Sequence, residues 1–264
     1  MGSERSGRRE EKEVWERFWG RDRDIRKVYS NEGRVYRNLS RIVDVRGKTV
    51  LEVGGGSGRD SLEMAGEGAR CVILDYTLTP LELARSLARE GRGRPFLVCG
   101  DALSLPIRDR SVDVVFHQGL MEHFRDPDRL LEENRRVLRE GGYLLVDVPQ
   151  RYHVYTLLKW PLIRLNRWFA GWETEFSIRE LETIFRRHRL QPVLSYGDWM
   201  SPSLFYRLLR EVLMRIGIEL PLYPRWPVGA VRDVRLRAKE WLQGKRISFY
   251  SFHVIGVIGR KGER

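Results

Sequence analysis

The stretch Val50-Leu-Glu-Val-Gly-Gly-Gly-Ser-Gly58 joins a short apolar strand directly to a cluster of glycines. Because Gly54, Gly56 and Gly58 carry no side chain, the backbone can approach a ligand closely at this turn. Residues 57–66 are predicted to form a helix, whose first N–H groups are available to a bound ligand. A glycine-rich turn also joins strands to helices without any ligand, so the stretch alone leaves both interpretations open.

Strands and helices alternate on both sides of this turn. The predicted strands cover 49–53, 69–75, 95–99, 112–117, 143–148, 193–199 and 247–258. The predicted helices between them cover 57–66, 80–90 and 127–139, and a capping box of Ser177 and Glu180 begins another that runs to about His188. This order predicts an α/β fold, with a Rossmann-like seven-stranded sheet, helices on both faces and helical cap insertions.

The same pattern divides the chain into three regions. Residues 1–45 are expected to form N-terminal helices that cover the predicted ligand site, and 46–150 to form the ligand-binding Rossmann-like core. Residues 151–264 complete the sheet and carry cap insertions at 151–176 and 200–246.

The positive charge is unevenly distributed. Residues 1–150 contain 27 Lys and Arg against 26 Asp and Glu, whereas 151–264 contain 21 against 10. The second region therefore favours an anionic partner, such as a phosphate-bearing small molecule, an acidic lipid surface or nucleic acid. Arg outnumbers Lys 41 to 7, so compositional or thermal adaptation is an alternative explanation.

Cysteine usage and the N-terminus indicate the cellular compartment. Cys71 and Cys99 lie in apolar runs, which predicts that both are buried. Two cysteines without clustered histidines form neither a zinc-binding set nor a disulfide framework. The first 13 residues are charged, and no stretch has the apolar length of a membrane span. We therefore expect a cytoplasmic protein.

Two acids follow predicted strands at the edge of the sheet where ligands bind. Asp75 ends the second strand, 21 residues after Gly54, and Asp101 follows the third strand. Open α/β sheets bind nucleotides at the carboxyl ends of parallel strands, where an acid accepts hydrogen bonds from ribose hydroxyls. The dinucleotide fingerprint is absent, because its last glycine position is Arg59, and no Gly-Lys-Ser/Thr phosphate loop is present.

These features together resemble the class I S-adenosylmethionine (SAM)-dependent methyltransferases. The matching pieces are LEVGGGSG (51–58), CVILD (71–75), GDALSLP (100–106), DVVFHQGLMEHF (113–124) and VLREGGYLLVDVP (137–149). The resemblance is strong over about 45–150 and weaker over the N-terminal helices and the last two strands.

The resemblance implies SAM as cofactor, S-adenosylhomocysteine as product, and a set of cofactor-binding residues. Asp75 would hold the ribose hydroxyls, and Asp101 would meet the adenine amino group. The other implied residues are Glu52, Gly54, Gly56 and Gly58 beneath the methionine part, Tyr76 and Ala102 beside the adenine, and Gln118 and Gly119 along the sulfonium.

The segment after the fourth strand disfavours two classes of nucleic-acid methyltransferase. Methylases of exocyclic base amino groups resemble one another in an Asn/Asp-Pro-Pro-aromatic tetrapeptide, but this chain has His117-Gln-Gly-Leu120 there. Cytosine-C5 methylases of RNA need a catalytic cysteine near this strand or the next, and neither cysteine is so placed.

Candidate catalytic and acceptor-binding residues surround the same edge. His117 and His123, with His153 further along, are candidate bases for an acceptor hydroxyl, although each could equally serve packing alone. Candidate acceptor contacts come from the aromatic and basic segment 152–176, namely Tyr152, Tyr155 and Trp172. That segment suits a substrate lid, a membrane-surface patch or a helical pair packed on the core. The later insertion 203–226 repeats its composition, with the same alternatives.

The sequence therefore predicts a SAM-dependent methyltransferase acting on an O or N atom of a small-molecule acceptor, anionic or lipid-linked. An RNA or protein methyltransferase that docks through its basic half and a non-catalytic SAM-binding module are the alternatives. Peripheral contact with an acidic membrane is a further candidate interaction, and nucleic acid is a less favoured partner. Arg164, Arg167, Arg207 and Arg210 are expected to contribute to that basic surface.

Overall fold

The computed structural model describes residues 12–20, 31, 33–91, 93–165, 173–223, 234, 237–238, 241–242 and 245–262. Its strands are β1 (Thr49–Val53), β2 (Arg70–Asp75), β3 (Phe96–Cys99), β4 (Val112–Gln118), β5 (Leu138–Pro149), β6 (Leu190–Asp198) and β7 (Val254–Lys261). They form one sheet in the order β3-β2-β1-β4-β5-β7-β6, in which β7 is antiparallel to both neighbours and the other pairs are parallel. The predicted seven-stranded Rossmann-like sheet is confirmed.

Helices cover both faces of this sheet, as predicted. They are α1 (12–19), α2 (Arg34–Leu39), α3 (Arg59–Gly66), α4 (Leu78–Glu90), α5 (Asp128–Val137), α6 (Val154–Arg164), α7 (Ile178–Arg187) and α8 (Leu204–Arg215). Apolar residues of α2 and α3 pack with one side of β1 and β4, and those of α5 and α7 pack with the other. Short 3₁₀ turns cover Met121–His123 and Arg246–Tyr250. Among the described helices, none is long and apolar enough to cross a membrane.

Glycines in β7 allow the last strands to pack closely. A side chain at Gly256 would overlap the ring of Tyr196, and one at Gly259 would overlap the ring of Phe185. Both rings are almost fully buried, so these glycines make room for the core. The predicted start of this strand at Ile247 was wrong, because 246–250 form a 3₁₀ turn.

The α5–β5 junction also differs from the prediction. The helix ends at Val137 rather than Arg139, and strand pairing begins at Leu138, opposite Val112. Regular pairing then resumes only at Tyr143, opposite Val114, so the intervening residues form a bulge. The two glycines at 141 and 142 were interpreted as a helix stop, but they lie within this bulge.

The prediction that both cysteines are buried holds for Cys71 and is wrong for Cys99. Cys99 ends β3, which lies at one end of the strand order and therefore has a neighbour on one side only. Edge strands receive less cover than central ones, so an apolar run there does not ensure burial.

A buried ion pair connects α2 to the centre of the sheet. Arg34 Nε lies 2.8 Å from Oδ2 of Asp147 in β5, and the Asp147 side chain is fully buried. Burial raises the pKa of Asp147 to about 6, although the Arg34 guanidinium opposes that rise. The pair fixes α2 against the face of the sheet that α3 also covers.

Candidate cofactor and acceptor site

The glycine turn after β1 is held tightly by apolar side chains. Gly54, Gly56 and Gly58 all have positive φ, between 51° and 66°, which favours glycine. A Cβ atom at Gly54 would lie 2.9 Å from Leu120 Cδ1, and one at Gly58 would overlap Ile73. The absent side chains therefore serve packing at Gly54 and Gly58 as well as any approach of a ligand.

Gly56 has a different neighbour, the ring of Trp19 from α1. A Cβ atom at Gly56 would lie 2.6 Å from Cζ2 of that ring. The indole thus covers the middle of the turn, at the position where the resemblance places the methionine part of the cofactor.

Asp75 braces this turn from the end of β2. Its Oδ2 accepts a hydrogen bond from Gly56 N–H over 3.0 Å, and its Oδ1 accepts from the N–H and hydroxyl of Thr77. Burial raises the pKa of Asp75, while these hydrogen bonds lower it. A carboxylate has about four lone-pair positions, so three bonds leave acceptor capacity for a ribose hydroxyl.

The residues expected around an adenine lie on neighbouring loops. Gly100 N–H donates to the carbonyl oxygen of Asp75, which joins the loop after β3 to the end of β2. Asp101 Oδ1 accepts from Leu103 N–H over 2.8 Å, and Ala102 is nearly buried. Tyr76 is partly exposed, with Lys12 Nζ 5.2 Å from its ring centroid. The topology therefore brings this part of the implied set together.

Acidic groups predominate at the opposite end of the turn. Asn31 Nδ2 donates to both carboxylate oxygens of Asp60, over 2.9 and 2.7 Å, and to Gln118 Oε1 over 2.6 Å. Burial raises the pKa of Asp60 to about 6. Burial also raises the pKa of Glu52 well above its usual value, and the charge of Asp60 adds to that rise. Glu52 Oε2 is buried with no hydrogen-bond partner among the described residues. Such a donor-poor, acid-rich site fits a ligand with cationic groups, like the sulfonium and amino groups of SAM.

Helix α1 lies across three of the loops at this edge. Glu16 Oε2 accepts a hydrogen bond from the Thr79 hydroxyl over 2.5 Å, next to the end of β2. The Trp15 ring meets the His123 ring edge-on, with centroids 5.0 Å apart, after β4. Together with Trp19 over Gly56, these contacts put a helix above the carboxyl ends of β1, β2 and β4.

The placement of His117 argues against a role as a base. Its ring is fully buried on the same side of β4 as Val115, which faces the α5 layer. Burial lowers the pKa of His117 to about 3, and neither ring nitrogen has a hydrogen-bond partner among the described residues. Gln118, the next residue, points to the α2 side and contacts Asn31.

His123 lies beside the site, and its neighbour Glu122 is more deeply buried. Glu122 is 3% exposed, its Oε2 has no partner among the described residues, and Thr174 N–H donates to its carbonyl oxygen. Burial raises the pKa of Glu122 to about 8, helped by Glu173 and opposed by Lys159. Lys159 and Glu173 form a buried ion pair that connects α6 to the segment before α7. We call Glu122, Lys159 and Glu173 the buried triad.

Of the expected acceptor contacts, Tyr155 is the best enclosed. Its ring lies 5.2 Å from that of His253, and burial raises the pKa of Tyr155. His153 caps α6 by accepting a hydrogen bond from Tyr155 N–H. Tyr152 is half-exposed with its ring 5.3 Å from that of Tyr250, and Trp172 lies outside the described residues.

Several residues of this edge were missed by the sequence analysis. They are Trp19, Asn31, Asp60, Asp147 and the buried triad. Asp147 alone gave a visible signal, since it is a charged residue inside the apolar run 143–148. The others come from helices and loops far apart in sequence.

Comparison with known proteins identifies a matching family and similar sequences. The sequence matches the methyltransferase domain family over residues 51–146. It is 30% identical to an uncharacterized methyltransferase of Mycolicibacterium vanbaalenii over 203 residues, 72% of each chain. It is 34% identical to a malonyl-[acyl-carrier protein] O-methyltransferase of Xylella fastidiosa over 120 residues, 44% of this chain and 40% of that protein. Less than two thirds of the length of several relatives is matched.

Solved structures agree on the fold. A SAM-dependent methyltransferase of Thermotoga maritima superposes with a TM-score of 0.62 at 17% identity, covering 94% of this chain and 99% of that one. The strand order, the braced glycine turn and the sequence relatives agree with one another. The chain belongs to the class I SAM-dependent methyltransferases, a family whose cofactor is S-adenosylmethionine.

Proposed function

We propose that the protein transfers the methyl group of SAM to an oxygen or nitrogen atom of a small-molecule acceptor with an apolar body. The observation that carries this proposal is that the side chains of the buried triad lie enclosed at the end of β4. Side chains of α6 and of the segment before α7 enclose these groups. A confined acceptor side suits a small molecule better than a polymer, which needs an open groove.

SAM supplies an activated methyl group on a good leaving group, so the protein's main task is to align the acceptor. His123 is the candidate to accept the acceptor's proton, since its ring lies at the end of β4 beneath Trp15. Glu122 is protonated near neutral pH, given its raised pKa, and would hold an acceptor oxygen or nitrogen by donating a hydrogen bond. Tyr155 would contact the acceptor's apolar body.

The relatives support an acceptor of this kind without fixing it. The Xylella fastidiosa relative is named for O-methylation of malonyl-[acyl-carrier protein]. The alternative of an RNA or protein acceptor has one supporting feature, the net charge of 151–264. That charge suits an anionic lipid equally well, so it does not favour the polymer.

A transfer assay with SAM labelled on its methyl group tests the proposal. The protein would be incubated with a cell extract separated into lipid, water-soluble small-molecule, RNA and protein fractions. We expect label in the lipid or small-molecule fraction. Label in RNA or protein would contradict the proposed acceptor class, and SAM binding without transfer to any fraction would favour the non-catalytic module.

A further inference from the structure

The apolar side chains of α8 face solvent rather than the core. Phe205 is 76% exposed, and none of the 12 residues of this helix is buried. Apart from Met214, which lies on the opposite side, the exposed apolar residues recur at i, i+3, i+4, i+7 and i+11, which places them on one side of the helix. They are Phe205, Leu208, Leu209, Val212 and, at the C-cap, Ile216. The core-packing alternative is therefore wrong for this face.

Helix α6 shows the same stripe at the same spacing. Beside the exposed Trp160, its exposed apolar residues are Val154, Leu157, Leu158, Pro161 and, at the C-cap, Leu165. The opposite side of the helix holds Thr156 and Lys159, both of which are buried. The helix therefore anchors itself through polar groups and turns its apolar stripe outward, the reverse of an ordinary surface helix.

Each stripe has an arginine beside it, ten positions after its first residue. These are Arg164 in α6 and Arg215 in α8, both exposed. At 100° per residue, this position lies about 80° from the first residue of the stripe, so the charge flanks the apolar surface without interrupting it. Arg164 stacks on the half-exposed Trp160, 4.6 Å from its ring, and Arg215 lies 3.6 Å from Glu211.

The two helices begin at the same edge of the sheet. β5 and β6 are both antiparallel to β7, so α6 and α8 follow strands that end on one side. Arg207 in α8 is close enough to Tyr155 in α6 to oppose the rise in its pKa. This edge also carries the glycine turn after β1.

Two of the four arginines expected to form the basic surface instead bind backbone carbonyl oxygens. Arg207 donates to the carbonyl oxygens of Ser201 and Pro202, and Arg210 donates to that of Leu220. Both are partly buried, on the side of α8 away from the stripe, so they fix adjoining loops. Arg167 lies outside the described residues, and Arg164 is the one of the four that flanks a stripe.

We infer that the α6 and α8 stripes form a docking surface for a membrane that contains anionic lipids. Leucine and phenylalanine would enter the acyl boundary, Trp160 suits the headgroup level, and Arg164 and Arg215 would meet lipid phosphates. The exposed Arg164 and Arg215 beside the stripes, in a region with 21 basic against 10 acidic residues, favour an anionic membrane over a neutral one. An uncharged protein partner would leave that charge without a counterpart.

This surface also narrows the acceptor class. Since α6 connects the exposed stripe to the buried triad through Lys159, a docked protein could take an amphiphilic acceptor directly from the lipid surface. That consequence rests on the proposed function, whereas docking itself does not.

Vesicle sedimentation tests the inference. Wild-type protein would be spun with vesicles of phosphatidylglycerol and phosphatidylcholine in equal parts, and with phosphatidylcholine alone. We expect binding to the mixed vesicles that weakens with salt, and little binding to the neutral ones. The double change Leu157→Glu with Leu208→Glu should lower partitioning by at least about tenfold, since each leucine loses its apolar burial. Arg164→Glu should lower binding to the mixed vesicles by a smaller factor, because it removes one of several charges.

Matched controls separate docking from other effects. Phe96→Glu changes an apolar residue that is 68% exposed on the edge strand β3, and Arg85→Glu reverses an exposed charge on α4. Both should bind vesicles like the wild type. Binding that is absent in the wild type, or unchanged in the double leucine variant, contradicts the inference. The inference is also contradicted if the protein is a dimer in solution and the leucine changes dissociate it, because the stripes would then bind a second copy of the chain. Calorimetry of S-adenosylhomocysteine binding reports on the cofactor site independently.

Discussion

The backbone N–H of Gly56 donates a hydrogen bond to Oδ2 of Asp75 over 3.0 Å. This bond ties the turn after β1 to the end of β2, so the acid both shapes the glycine turn and offers acceptor capacity to a ligand. An amide in place of the carboxylate keeps the size of the side chain but loses charge and one acceptor atom.

We therefore expect Asp75→Asn to weaken S-adenosylhomocysteine binding by about ten- to a hundredfold, the typical effect of losing a hydrogen bond to a charged group. Isothermal titration calorimetry measures this directly. Asp44→Asn is the matched control, because Asp44 also accepts a backbone N–H but is exposed and away from the site. Equal affinities for the two variants would show that Asp75 only braces the turn.

Gly56 should not tolerate a larger residue. Its φ of 51° disfavours L-amino acids, and a Cβ atom would lie 2.6 Å from the Trp19 ring. Gly56→Val should abolish S-adenosylhomocysteine binding while the circular dichroism spectrum stays that of a folded protein. Gly66→Ala is the control, since nothing lies within 4 Å of its Cβ position and we expect it to bind normally. Wild-type affinity in Gly56→Val would place the cofactor elsewhere.

Glu122 should make stability fall as the pH rises. Its pKa is about 8 in the folded protein against 4.5 as a reference, so between these values the unfolded chain releases a proton that the folded protein keeps. Stability from this group is complete below pH 4.5 and is lost as the pH approaches 8. Glu122→Gln does not titrate, so its unfolding free energy should fall less than that of the wild type from pH 5 to pH 8. Parallel urea titrations of both proteins would measure this, and parallel losses would contradict the burial of an ionisable group here.

His117 should have the opposite effect on the pH dependence of stability. Its folded pKa of about 3 lies below the reference of 6.5, so the unfolded chain takes up a proton as the pH falls and the folded state loses stability. His117→Leu should be as stable as the wild type or more so at pH 7, and its advantage should grow at pH 5. Because the ring is buried on the α5 side, methyl transfer should persist. Loss of transfer with intact cofactor binding would restore His117 as a base.

The sheet was predictable because its signals are local. Apolar runs such as 49–53, a glycine turn and an acid after the next strand each follow from a few adjacent residues, and the capping box of Ser177 and Glu180 forms as the sequence predicts. Helix and strand boundaries were predicted wrongly where tertiary contacts determine them. At Leu138, pairing with Val112 ends a helix that the sequence predicted to continue to the glycines at 141 and 142.

The sequence indicated only the glycines and acids of the candidate site. Asn31 and Gln118 are 87 positions apart, and only the folded chain shows that the Asn31 amide bridges Gln118 and Asp60. The same holds for Trp19 above Gly56. The sequence analysis also did not predict the orientation of His117. Side chains alternate along β4, so His117 lies on one face of the sheet and Gln118 on the other.

The ion pair of Arg34 with Asp147 bears on how this chain can be divided. The family-defining match covers 51–146 and ends one residue before Asp147, and Arg34 precedes it. A fragment cut to that match would also lack β7, whose pairing protects the open side of β5. Homologous cores therefore cannot be exchanged as cassettes at these borders: a chimera that keeps one partner and replaces the other would bury a lone charge, at a cost of about 3–5 kcal/mol. The natural unit for swapping, grafting or shuffling this protein begins before α2 and extends through β7.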